Sequence, residues 1–247
     1  DIGCGSGEVT TQVSVYVRDL FGKMPSIYLL DPSNDLLHTA IEKLIQLGFP
    51  RSSIKFEAAP FTPQDDNSNL LGLSGSSHFH LILCSHVLYY VEDWIKATTG
   101  MLRLIDGDGL IWVTMQSEKG EQYQFRKTFI PKLTGANSFS KQSAEEYCRL
   151  LDSLKIPFTF ETQASHISLP LEFELTTSNF INPPLSEDTT PQIYDLIRLM
   201  EFLLRRDWRE VPLEIKMEVL DLLREKQNNK SHYIEQFDGF IWVSNRQ

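Results

Sequence analysis

Basic residues are scarce in this chain: 23 lysines and arginines stand against 33 aspartates and glutamates, a formal net charge of −10 over 247 residues. The electrostatic footprint of a nucleic-acid binder is therefore absent, and DNA or bulk RNA is disfavoured as a partner. No apolar run is long enough to span a bilayer and no signal peptide opens the chain, so a membrane partner is not expected. Cysteine is rare too. Cys4, Cys84 and Cys148 show neither C-x-x-C spacing nor a framework of pairs, which argues against a disulfide scaffold and fits a reducing compartment, the cytoplasm. Among six histidines the one close pair is His78-x-His80, with no third ligand nearby, so no metal site is expected. What remains, 41% hydrophobic and 23% charged, is ordinary for a globular α/β domain with an elaboration.

The chain is organised around its first eight residues, Asp1-Ile2-Gly3-Cys4-Gly5-Ser6-Gly7-Glu8. Glycines at alternate positions let the backbone take positive φ and leave no Cβ between the peptide groups and a ligand, so a cofactor could lie directly on the turn, with Gly3 and Gly5 beneath it. A dinucleotide fingerprint needs its third glycine three residues after the second. Here the third follows after two and is succeeded by Glu8, an acid where a phosphate would not be welcome. D-x-G-x-G-x-G resembles the first motif of class I S-adenosylmethionine-dependent methyltransferases, whose cofactor carries a methionine tail and a sulfonium in place of phosphates.

From Val9 to Phe21 the pattern is helical, with Val13, Val17 and Leu20 or Phe21 on one face. Ser26 to Leu30 reads as a strand ending at Asp31-Pro32-Ser33, about 25 residues after the glycines, near the distance at which nucleotide-binding sheets place an acid for ribose hydroxyls. A carboxylate can accept from two hydroxyls at once; capping of the helix that starts at Asn34 is the other role open to Asp31. Because the apolar strand that should precede a glycine turn is not in the sequence, the chain reads as a fragment whose first strand lies upstream.

Further along, helices are expected over Asn34–Leu47 and from Asp93 through Ile105, the latter burying Ile95, Met101, Leu102 and Ile105. Strands are expected at 53–56, 79–85 and 110–115. Asp65 to Ser77 reads as a loop or short helix, and Gly107-Asp108-Gly109 as a turn. The 79–85 strand runs into Ser85-His86-Val87-Leu88-Tyr89-Tyr90-Val91, placing Ser85 and His86 beyond a strand's carboxyl end, where ligands bind in open parallel sheets. Tyr89 and Tyr90 then supply either aromatic faces for a cation or ordinary packing, and His86 either a substrate contact or a backbone hydrogen bond. Helices follow over 118–133, 143–154, 191–205 and 211–227, with strands at 158–169 and 237–244. The long 170–231 segment between those two strands could house specificity or could simply cover a sheet edge.

The segments Ser85 to Asp93, Asp1 to Glu8, Leu30 to Ser33, Thr177-Ser178-Asn179-Phe180 and Gly239 to Val243 together resemble the histamine N-methyltransferase family. The similarity runs in order over essentially the whole chain. It implies a doubly wound, mostly parallel Rossmann-like sheet of class I methyltransferase type, with a helical insertion before a last, antiparallel strand. Residues 1–170 and 231–247 would form the S-adenosylmethionine-binding domain, lacking its first strand, and 171–230 a substrate-side insertion. Gly3, Asp31, Thr62 and Ser85 would contact S-adenosylmethionine, and Tyr89, Tyr90 and Phe180 would wall the substrate.

The implied reaction is methyl transfer to an imidazole nitrogen of a small amine, carried out by a monomer without a covalent nucleophile. The family has an amide where this chain has His86 and an asparagine where it has Gln236, and its amine-holding acid lies upstream of the glycine turn. His86 and Gln236 are expected to position the acceptor by hydrogen bonds. A different small-molecule acceptor, or a homologue that binds S-adenosylmethionine without catalysis, are the alternatives.

Overall fold

A computed structural model describes residues 1–62, 79–135, 142–169, 175–181, 183, 191–231 and 233–244. The chain divides into two compact units. The first comprises 1–115, 144–161 and 239–247, and the second 116–143 and 162–238.

In the first unit the glycine turn leads into α1 (Glu8–Phe21), which Gly22 ends in the left-handed conformation, its N–H returning to Arg18 O. β1 (Ile27–Asp31) follows, then α2 (Asn34–Gln46), capped by Ser33 accepting from Leu36 N–H. Leu37, Ala40, Ile41 and Leu44 form the buried stripe of α2, the three larger ones each contributing about 1.5–3 kcal/mol on burial. β2 (Ile54–Ala58) pairs parallel with β1 from Ile27↔Ile54 to Asp31↔Ala58.

β3 (Phe79–Ser85) pairs parallel with β4 (Ile105–Gln116), within a sheet ordered β3-β4-β6-β5. Ile2 bridges Leu30 on β1 and Cys84 on β3, both in parallel sense, and so links the two sheets through the residue just before the glycine turn. α3 (Trp94–Leu104) connects β3 to β4, and α5 (Ala144–Ser153) precedes β5 (Phe158–Ser168). Ile111, Val113 and Met115 of β4 and Ile241 and Val243 of β6 (Tyr233–Ser244) share one core with Trp94, Met101, Tyr147 and Leu151 of those helices. Parallel pairing of β1 with β2 and of β3 with β4, with helices between β1 and β2 and between β3 and β4, makes this the mixed α/β architecture expected from the sequence.

Several local expectations need correction. α1 turns Thr10, Thr11 and Ser14 inward, while Leu20 and Phe21 are 60% and 67% exposed. α3 buries Trp94, Ala97, Thr98 and Met101, leaving Ile95 49% exposed. Gly107 to Gly109 do not end a helix before a fresh strand: they lie inside β4, where the register jumps from Phe79↔Ile105 to Leu81↔Leu110 and the extra residues bulge. The expected loop at 65–77 lies outside the described residues.

The second unit is mainly helical. α4 (Glu121–Thr134), α6 (Thr177–Ile181), α7 (Pro191–Leu204) and α8 (Leu213–Asn228) enclose a core that includes Phe125, Phe129, Phe180, Leu196, Met200, Trp208 and Leu220. Arg126 is buried there and donates to Gln116 Oε1 at 2.9 Å and Leu203 O at 3.2 Å.

Candidate active site

The glycine turn is held onto β1 by its backbone and by one carboxylate. Gly3 and Cys4 N–H both donate to Leu30 O, at 2.7 and 3.2 Å. Asp31, 7% exposed, accepts from Gly5 N–H through Oδ2 and from Ser33 N–H through Oδ1, both at 2.8 Å. The acid at the end of β1 therefore ties the turn to its sheet. Each oxygen keeps a second lone-pair direction, so the carboxylate retains acceptor capacity beyond the two bonds. Capping of α2 falls to Ser33 instead.

The three glycines serve three different needs. A Cβ on Gly3 would lie 2.4 Å from Val87 Cγ2, so the turn touches the loop that follows β3. On Gly7, at φ +81, it would lie 2.7 Å from Ala40 Cβ, so this glycine lets α1 and α2 meet. Gly5, at φ +52, has nothing within 4 Å of the same position. Only at Gly5 does the missing side chain leave open space, and that is the opening a ligand lying on the turn requires. The first turn of α1 also lacks a side-chain cap, leaving N–H donors at a helix start.

Glu8 is held between Lys43 of α2 and Ser6 of the turn itself. Its carboxylate takes Lys43 Nζ at 2.5 Å and Ser6 Oγ at 2.6 Å, and these bonds, Lys43 first, pull its pKa down to about 2.

The second wall is the loop after β3. Ser85 ends the strand opposite Thr114, and His86 follows with φ +56, donating its N–H to Thr114 O at 2.8 Å. A non-glycine residue in that region costs on the order of 1–3 kcal/mol and is held there only by its surroundings. Here the holding is visible: Leu88 is fully buried, Trp94 Nε1 donates to Leu88 O at 2.8 Å, and Asp93 caps α3 through Lys96 N–H. On this braced turn the His86 ring stacks on Tyr89 with centroids 6.1 Å apart, and Nδ1 lies 3.3 Å from the Tyr89 hydroxyl. Tyr90 stands edge-on to Tyr89 and is 79% exposed.

Of the remaining expected residues, Thr62 is exposed and its hydroxyl donates to Pro60 O at 3.3 Å. Phe180 and Gln236 belong to the second unit. Phe180 has no exposed surface, its ring meeting Trp208 edge-on at 4.8 Å while its carbonyl accepts from Trp208 Nε1. Gln236 donates to both oxygens of Asp238, at 3.0 and 3.1 Å. Two participants went unnoticed in the sequence. Val87 sits against Gly3, and Thr10 donates to Asp1 Oδ2 at 2.5 Å. A hydroxyl residue on the inward face of a helix otherwise rich in valine was the available sign.

The cysteines take no part. All three are buried thiols, and burial raises the pKa of Cys4 to about 11 and those of Cys84 and Cys148 to about 12. Among the described residues no cluster of His, Cys, Asp and Glu could hold a metal ion, and no helix is long and apolar enough to cross a membrane.

Residues 1–113 match a family described as a methyltransferase domain. A comparison with curated proteins returned no match. Among solved structures, the chain is similar to the YcgJ protein of Bacillus subtilis, with a TM-score of 0.54 and 12% identity over 100% of this chain and 91% of that one. A putative methyltransferase of Bacillus halodurans gives 0.52 at 10% identity, again over 100% and 91% of the two chains. An S-adenosylmethionine-dependent methyltransferase of Thiobacillus denitrificans, in complex with S-adenosyl-L-homocysteine, aligns over 99% of this chain and 83% of that one, at 14% identity and a TM-score of 0.48. The likeness to the first two is one of fold.

Proposed function

We propose that this chain, whose first 113 residues match a methyltransferase domain, takes S-adenosylmethionine as its cofactor and that the methyl acceptor is a nitrogen of a small amine, the imidazole ring of histamine or a close relative. The observation that carries this reading is the braced His86–Tyr89–Tyr90 cluster, one residue from the Val87 side chain that packs on the glycine turn.

S-adenosylmethionine supplies a methyl carbon already activated by its sulfonium, so alignment is the main task left to the protein. In this reading Gly5 leaves room for the cofactor, Asp31 turns its remaining lone pairs to the ribose hydroxyls, and Gly3, Thr62 and Ser85 border the adenosyl group. The tyrosine faces favour a cationic centre by roughly 0.5–2 kcal/mol, depending on desolvation. His86 orients the acceptor by hydrogen bonds. An imidazole nitrogen is largely neutral near pH 7 and offers its lone pair without a strong base, whereas a primary ammonium does not.

Three buried thiols fit the cytoplasm as the compartment, and a monomer suffices for the residues named. The test is transfer of a labelled methyl group to a panel of imidazoles, primary amines and hydroxyl compounds. Preference for imidazoles, weakened by His86→Ala, is expected. Transfer to hydroxyl acceptors alone would replace the amine reading while leaving the cofactor in place, and unchanged kinetics of His86→Ala with every acceptor would remove the role given to that residue.

A further inference from the structure

The glycine turn and the loop after β3 are anchored to different strands. Gly3 and Cys4 N–H return to Leu30 O on β1, and Asp31 takes Gly5 N–H. His86 N–H goes instead to Thr114 O on β4, and the Leu88 carbonyl is pinned by Trp94 Nε1. Among the described residues no backbone hydrogen bond joins residues 3–7 to residues 86–91. What meets across the gap is a side chain against bare backbone. A Cβ on Gly3 would lie 2.4 Å from Val87 Cγ2, 3.0 Å from Cγ1 and 3.3 Å from Cβ, so Val87 rests its branched end on the first glycine of the turn.

This contact has the marks of a spacer. Val87 lies partly buried at the margin of the core, whereas its neighbour Leu88 has no exposed surface. The strands beneath are joined without it, because Ile2 N–H donates to Leu83 O at 2.9 Å and Ile2 bridges Cys84. A β-branched side chain is stiff at χ1, so the two methyl groups hold one distance instead of a range. Val87 is also bound into the aromatic cluster: it follows His86, whose φ is +56, and its carbonyl accepts Tyr90 N–H at 2.9 Å, closing the short helical turn that carries both tyrosines.

We infer that Val87 is a positioning residue for methyl transfer, setting the distance between the turn that seats the cofactor and the His86–Tyr89–Tyr90 cluster that seats the acceptor. This rests on the proposed function, which places the two ligands on those two loops. In the transfer the acceptor's lone pair forms the new bond to the methyl carbon while the carbon–sulfur bond breaks. That electron pair stays on sulfur, giving neutral S-adenosylhomocysteine, and the acceptor sheds a proton to solvent. Reacting atoms must stand about 3–3.5 Å apart, and a displacement of about 1 Å can cost about a hundredfold in rate. A change in the spacer therefore shows in kcat and leaves each ligand's own contacts in place.

Steady-state kinetics with S-adenosylmethionine and a panel of imidazoles, primary amines and hydroxyl compounds test this, with calorimetric titration of S-adenosylhomocysteine alongside. Val87→Ala should lower kcat roughly ten- to a hundredfold for every compound that accepts a methyl group, with acceptor KM and S-adenosylhomocysteine affinity changed by less than about twofold. Val87→Thr keeps the branching and the outline and should restore kcat. A residue that merely stabilised the fold would lower the denaturation midpoint of Val87→Ala and leave kcat per folded chain unchanged. That result, a loss carried by KM or by cofactor affinity, or a Val87→Thr chain as slow as Val87→Ala would overturn the inference. Gly3→Ala probes the contact from the other side: the backbone cost at φ +64 cancels in a double-mutant cycle, so this substitution should destabilise Val87→Ala less than it destabilises the unmodified chain, and additive losses would remove the spacer. Transfer to hydroxyl compounds alone would replace the amine reading and leave the role of Val87 standing. A chain that methylates no compound of the panel would overturn both.

Discussion

Adding one methyl group at Gly5 and at Gly7 should produce opposite kinds of damage. Both residues have positive φ, +52 and +81, and alanine in the left-handed region costs about 1–2 kcal/mol. At Gly7 the new Cβ would also lie 2.7 Å from Ala40 Cβ and 3.0 Å from its Cα. Backbone cannot swing aside as a side-chain tip can, so α1 and α2 must separate, adding the roughly 1–3 kcal/mol typical of overpacking. Gly7→Ala should therefore lose about 2–5 kcal/mol, a large fraction of a marginal stability of about 5–15 kcal/mol. At Gly5 nothing lies within 4 Å, and only the backbone cost of about 1–2 kcal/mol applies. That methyl group projects into the open space that the proposed function gives to the cofactor. Urea denaturation followed by circular dichroism should rank Gly7→Ala well below Gly5→Ala. Titration with S-adenosylhomocysteine at low denaturant should show Gly5→Ala as the variant that folds and fails to bind. Equal stability losses, or a Gly5→Ala protein with undiminished affinity, would refute the division of labour among the glycines.

Other perturbations follow from the same contacts. Asp31→Asn keeps the shape but leaves one acceptor oxygen for two backbone donors, so about 1–3 kcal/mol of stability should be lost, measurable by denaturant titration, together with cofactor affinity. Glu8 has its pKa depressed to about 2 from its ordinary value of 4.5. The sign follows from linkage: a lowered folded-state pKa gives stability that is present above 4.5 and lost as pH falls towards 2. The Glu8 side chain is 63% exposed, so the effect is small and salt-screened. The melting temperatures of the unmodified protein and Glu8→Gln should differ at pH 5 and low salt and converge near pH 2. A disulfide-exchange reagent at pH 8 should leave Cys4, Cys84 and Cys148 untouched in the native chain and titrate all three in denaturant, because burial raises their pKa values to about 11, 12 and 12.

What could be read from the sequence was what the backbone demands. Alternating glycines and an acid at a strand end are constraints on peptide geometry, and both Gly5 and Asp31 stand where that reasoning puts them, hydrogen-bonded to each other. The strand at Phe79 to Ser85 and the buried face of α7 were legible for a related reason: a continuous apolar run, or a wide apolar stripe, leaves one packing choice. α1 shows where that reasoning stops. Periodicity locates a stripe of Val13, Val17 and Leu20 but cannot say which neighbour it meets: the buried residues of α1 are Thr10, Thr11 and Ser14, with Val15 packed on the core beside them. Phe180 shows the same limit from the other side. A motif can place an aromatic near a site in sequence, yet whether its ring faces a ligand or a tryptophan depends on side chains tens of residues away, here Trp208. His86 in the left-handed region had no sequence signal, since the strain is imposed by anchors at Thr114, Leu88 and Trp94.

The central claim is that the turn from Gly3 to Gly7 seats an adenosyl amino acid. Equilibrium dialysis of the folded chain against radiolabelled S-adenosylmethionine tests it most directly. The account predicts one molecule retained per chain, displaced by S-adenosylhomocysteine and not by NAD. A chain that is folded by circular dichroism and retains none, or retains it equally well as Gly5→Val, would contradict it.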